Sequence, residues 1–127
     1  MTTLSKILRD LSVRSSSILT NAYVAGETID ANDSNTLVLY IDYTGSNLTS
    51  ADIKISYSFD ESSWYQESMS ASATGTTTQY ENIHRLISDG TYRLKIPVMD
   101  RYVKVEAIGN GVVTGSLLAI DSYVGVV

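Results

Sequence analysis

From residue 18 onward one pattern recurs. Apolar and polar residues alternate, and clusters of Gly, Asn, Asp and Ser interrupt them. The clearest case runs from Thr36 to Thr44. Leu37, Leu39, Ile41 and Tyr43 fall on one face, and Val38, Tyr40, Asp42 and Thr44 on the other. A period of two belongs to an extended strand with one buried face. Ile53, Ile55, Tyr57 and Phe59 make a second apolar face, with Asp52, Lys54, Ser56 and Ser58 directed outward. Tyr92, Leu94, Ile96 and Val98 make a third; Val103, Val105 and Ala107 a fourth; Leu118, Ile120 and Val124 a fifth. Pro97 lacks an amide donor, so its strand lies at an edge or ends there. Turn clusters stand at residues 30–35, 45–47, 60–63, 89–90 and 109–111. Further strands are expected over residues 18–25 and 78–87, the latter with a helical turn as the alternative. A return strand is expected over residues 64–69 and a loop over 70–78. Seven to eight short strands of this kind predict an all-β antiparallel sandwich, jelly-roll or Ig-like.

The first residues read differently. Leu4, Ile7, Leu8 and Leu11 recur at helical spacing. They predict a short amphipathic helix or arm over residues 1–16, ahead of a β-sandwich domain over 17–127. Lys6, Arg9 and Arg14 make this segment basic, whereas residues 15–53 hold five acids and no base. So short a helix is marginal alone and must pack on something. The expectation is a subunit interface built from Leu4, Lys6, Ile7, Leu8, Arg9, Leu11 and Arg14. Deleting residues 2–14 would then abolish that contact while the sandwich still folds.

Composition narrows the chemistry. The 127 residues hold no cysteine and one histidine, which removes thiolate nucleophiles, disulfides, cysteine-bound metals and a histidine cluster. A net charge of −5 disfavours nucleic acid as a partner. No apolar run reaches the length of a membrane span or a signal peptide, so synthesis in the cytoplasm, with no membrane partner, is expected. His84 stands beside Arg85 without a nucleophile elbow anywhere in the chain. Asp60 and Glu61 sit in a turn, where carboxylates are normally solvated. Asp30-x-Asn32-x-Ser34 begins like a calcium loop but has Asn35 and Ile41 where glycine and glutamate belong. No enzyme activity, cofactor or metal is expected.

Tyrosine supplies most of the aromatic residues, and Tyr40, Tyr102 and Tyr123 oppose the core faces of their strands. Outward tyrosines on strands suit contact surfaces. Trp64, Tyr65, Tyr102 and Tyr123 are the candidate contact aromatics, for a protein or for a host glycan.

The stretch from Tyr57 to Tyr65, with its Asp60 turn and Trp64, resembles a hairpin of discoidin-like carbohydrate-binding sandwiches. Asp100-Arg101-Tyr102-Val103-Lys104-Val105 resembles one of their strands. Glu61 replaces the usual glycine, which implies a different turn, and Trp64 is expected to plug the core. Residues 36–110 more broadly resemble small β-sandwich virion proteins of tailed bacteriophages, such as capsid decoration (cement) proteins and tail or neck components. That resemblance implies a structural role at the capsid surface of a virion. It implies the major capsid protein or other virion proteins as partners, and a homo-oligomer, dimer or trimer. A carbohydrate-binding module is the alternative.

Overall fold

A computed structural model describes residues 6–66 and 83–127. The nine strands are β1 (Lys6–Ser17), β2 (Val24–Ala25), β3 (Ile29–Asp30), β4 (Thr36–Thr44), β5 (Leu48–Ser58), β6 (Ile83–Leu86), β7 (Gly90–Pro97), β8 (Tyr102–Gly111) and β9 (Leu117–Val126). They form two antiparallel sheets. One has the order β1-β9-β4-β7; the other has β2-β8-β5-β6, with β3 also on β8. The fold is therefore an all-β, two-sheet sandwich, and no helix occurs among the described residues.

The inward faces are the alternating ones. Leu37, Leu39 and Ile41 of β4 and Leu118, Ile120 and Val124 of β9 meet Ile53 and Ile55 of β5 and Val103, Val105 and Ala107 of β8. All are buried, and burying each large aliphatic side chain stabilises by ~1.5–3 kcal/mol. β7 is an edge strand ending at Pro97, as the missing donor requires. Its outward Arg93 and Lys95 also discourage an added strand.

Of the helix or arm expected over residues 1–16, the described part, from Lys6 onward, holds no helix. Lys6–Ser17 is instead the edge strand β1, paired with β9 from Lys6 opposite Val126 to Ser17 opposite Leu118. Two patterns competed here. The helical stripe of Ile7, Leu8 and Leu11 overlaps a period-two set, Arg9, Leu11 and Val13. Leu11 packs against the core and Val13 is 2% exposed. Arg9 stays on this path because its guanidinium finds carbonyls: Nε donates to Asp30 O at 2.8 Å and Nη2 to Asn32 O. That tie joins the two sheets. Further along, the Glu27 amide donates to Val13 O at 2.9 Å, and a side chain at Gly26 would overlap that same carbonyl. β1 departs from regular register at three places, between Ile7 and Arg9, Ser12 and Arg14, and Arg14 and Ser17.

Other expectations shift as well. Only Val24–Ala25 of residues 18–25 is strand. The preceding segment is held by irregular bonds, Leu19 N to Ser116 Oγ and Gly109 N to Thr20 O. Phe59 is 70% exposed rather than in the core, because β5 stops at Ser58 and the chain turns. Asp52, Ser56 and Ser58 are buried although they were expected outward. The expected loop at residues 70–78 lies outside the described residues, as does the second half of the return strand, residues 67–69. Of the strand expected at 78–87, residues 83–87 are described, and Ile83–Leu86 of these is strand.

Candidate contact surfaces

Three surfaces carry the residues singled out in the sequence. The first is the outer face of the four-stranded sheet. Tyr123 of β9 and Tyr40 of β4 meet edge to face, with ring centroids 5.5 Å apart and planes at 88°. That is a favoured geometry for aromatic pairs. Arg93 of β7 lies beyond Tyr40, its guanidinium carbon 5.9 Å from the ring centroid and its Nε donating to Tyr40 Oη at 3.2 Å. Val38 lies opposite both Tyr123 and Lys95 and is buried despite facing outward. A shallow depression of about 350 Å³ runs between β1 and β9, lined by Asp10, Ser12, Asp121 and Tyr123 among others.

The second surface is the outer face of the five-stranded sheet. Lys104 Nζ sits 4.7 Å from the centre of the Trp64 ring, and Lys54 Nζ sits 4.4 Å from that of Tyr23. Glu106 lies between the two lysines, at 3.7 Å from Lys54 and 4.0 Å from Lys104. Tyr102 is half-buried, with Arg101 5.0 Å from its ring centroid. Trp64 therefore does not plug the core; it covers Lys104 on the outside of the sheet. The two lysines thus share one carboxylate, and each also stacks on an aromatic ring.

The third lies at the end of the sandwich where β5 and β7 stop. A cleft of about 250 Å³ is lined by Tyr57, Tyr65, Gln66, Pro97, Met99 and Asp100. Tyr65 is tied to Tyr57 by two backbone hydrogen bonds of 2.8 and 2.9 Å, yet its side chain is 65% exposed. The turn that leads there keeps a left-handed residue, with Glu61 at φ 63°. Asp60 organises it. Oδ1 accepts the Ser62 and Ser63 amides at 2.9 Å each and the Ser58 hydroxyl at 3.0 Å. Those bonds hold the Asp60 carboxyl below the usual carboxylate range. Glu61 thus takes the left-handed conformation that glycine adopts most readily.

The candidate aromatics do not converge on one platform. Trp64 and Tyr102 belong to the five-stranded sheet, Tyr123 to the four-stranded sheet, and Tyr65 to the end cleft. The N-terminal residues are also dispersed. Lys6 and Ile7 are exposed, Leu8 and Leu11 half-buried, and Leu4 lies outside the described residues. Arg14 turns back on its own chain, with Nε donating to Leu118 O at 3.1 Å and Nη2 to Ile18 O at 2.9 Å. The sequence reading missed Arg93, Lys95, Asp10 and Asp121 as neighbours of the tyrosines. Each occupies an outward position of an alternating run, but only the strand order places them on one face.

Among the described residues no group of three or more acidic or histidine side chains could hold a metal ion. No helix there is long and apolar enough to cross a membrane. No family model matches the chain, and no curated protein matches it. Solved structures that share its fold include the following two. The SPBc2 prophage-derived protein YomS aligns over 98% of this chain and 100% of its own, with a TM-score of 0.54 and 12% identity. The PBSX exported protein XepA aligns over 94% of this chain but only 36% of its own, with a TM-score of 0.55 and 10% identity. The first of these neighbours is a prophage-derived protein, and what both share with this chain is the two-sheet fold.

Proposed function

We propose that this chain is a structural protein of a tailed-phage particle, working by contact with other virion proteins. The finer reading is a decoration protein that binds and stabilises the head lattice, with the major capsid protein as partner. The observation that carries the proposal is the end-to-end correspondence with a prophage-derived protein of the same extent, across two chains only 12% identical. The fold also spans part of the longer PBSX exported protein, so it suits use as a building block. The outward tyrosines and the arginine beside them are the residue types enriched where proteins meet.

Mass spectrometry of gradient-purified particles tests this. The chain is expected in fixed ratio to the major capsid protein, and in the head fraction after heads and tails are separated. Recovery with tails instead would support a tail or neck component. Absence from purified particles would overturn the structural-protein reading.

A further inference from the structure

The outer face of the four-stranded sheet is laid out asymmetrically. Registered pairs define two rows across it. One row reads Asp10, Tyr123, Val38, Lys95; the next reads Ser12, Asp121, Tyr40, Arg93. In these two rows acids occupy the β1 and β9 side, both bases occupy β7, and the tyrosine pair stands between; in the next row Asp42 of β4 accepts the Thr91 hydroxyl at 2.6 Å. Asp10, Asp121, Arg93 and Lys95 are all exposed. The acidic side is also concave, because the depression between β1 and β9 is lined by Asp10 and Asp121.

Such a face complements itself under one two-fold operation. An axis parallel to the strands, between β9 and β4, lays β7 of one copy over β1 of the other. Lys95 then stands over Asp10, Arg93 over Ser12 beside Asp121, and Tyr123 over Val38, the same contacts recurring by symmetry. An axis perpendicular to the strands would instead stack Arg93 and Lys95 on their own copies, and like charges oppose that. The geometry points to a face-to-face homodimer through the outer surface of the four-stranded sheet, with the basic β7 edge of each copy seated in the acidic depression of the other.

The size of the face fits a weak, charge-dependent dimer. Four strands about 4.8 Å apart and roughly eight residues long cover about 500 Å² per copy. Roughly 1,000 Å² in total lies at the small end of specific interfaces. Screening has a Debye length of ~10 Å at 0.1 M salt, so added salt weakens such contacts. This inference does not depend on where the protein acts.

Sedimentation velocity of the full chain provides the test. A dimer is expected at high micromolar concentration in low salt, with affinity falling about tenfold or more in 0.5 M salt. The double variant R93D/K95D, with a wholly acidic face, is expected to be monomeric. D10K/D121K, with a basic face, is expected to be monomeric too. Mixed together, the two are expected to form a one-to-one heterodimer, which also shows that both are folded. A wild-type chain that stays monomeric, or that assembles into another oligomer, would overturn the proposal. So would charge variants that associate as the wild type does, or a mixture that forms no heterodimer.

Discussion

Arg85 closes on Asp52 with two parallel hydrogen bonds, Nε to Oδ1 at 2.8 Å and Nη2 to Oδ2 at 3.0 Å. The two are directly opposite one another on β6 and β5. Asn110 of β8 donates to the same carboxylate at 3.2 Å and to Ser50 Oγ at 3.0 Å. Asp52 is 7% exposed, so its charge depends on these donors. The Arg85 bonds, helped by Asn110, hold the carboxyl below the usual carboxylate range against the opposing effect of burial. A lowered native pKa stabilises the fold above the unfolded value of ~3.9, and the benefit disappears as pH falls through the native value. Replacing Asp52 by Asn should therefore flatten the acid side of the stability profile. Urea midpoints between pH 2 and 6 check this. Asp52→Ala should cost about 1–3 kcal/mol at neutral pH.

His84 acts in the other direction from a solvated histidine. Burial pushes its pKa down, so the folded chain favours the neutral ring. The unfolded chain takes up a proton near pH 6.5, and stability falls from there as pH drops toward the lowered native value. His84→Gln should remove that slope. Denaturant midpoints measured from pH 5 to 8 on both proteins test it.

β1 is predicted to be indispensable to the sandwich. Deleting residues 2–14 would remove Val13 from the core, cut the Arg9 tie between the sheets and leave β9 as an open edge. The truncated chain should lose cooperative unfolding, read by circular dichroism. Val13→Ala should cost ~1–3 kcal/mol.

Gly125 probes the same strand more gently. A methyl group there would overlap the Lys6 carbonyl on β1. Gly125→Ala should weaken pairing along the first half of β1 and leave the β4–β7 ladder intact. Amide hydrogen exchange should show lost protection in β1 near Ile7 and Arg9, with little change at Leu39.

Glu61 holds a left-handed conformation, which costs a side chain ~1–2 kcal/mol. Glycine removes that cost but adds ~0.5–1 kcal/mol of chain entropy. Glu61→Gly should raise stability by about 0.5 kcal/mol, visible as a small increase in Tm.

The strands with clean alternation were readable because each has one buried face. A one-residue slip would turn Leu37, Leu39 and Ile41 together to solvent. β1 was not readable in the same way, because a charged residue, Arg9, holds an inward position. Its guanidinium is satisfied by carbonyls on β3 and in the following turn, which lie 21 and 23 residues away. Phe59 misled for a local reason: the Ser58–Asp60 bonds end the strand one residue before it. The contact face was half legible. Tyr40 and Tyr123 stood out as outward tyrosines, but their contact and the bases beside them arise from the order β1-β9-β4-β7. Alternation within a strand does not encode which strands are neighbours.

Rebinding to particles tests the proposed structural role most directly. Particles from a phage lacking this gene would be mixed with the purified full chain and sedimented. Saturable binding that restores the protein to its original ratio with the capsid protein is expected. A chain that is absent from wild-type particles, and that stays in the supernatant at every concentration, would contradict it.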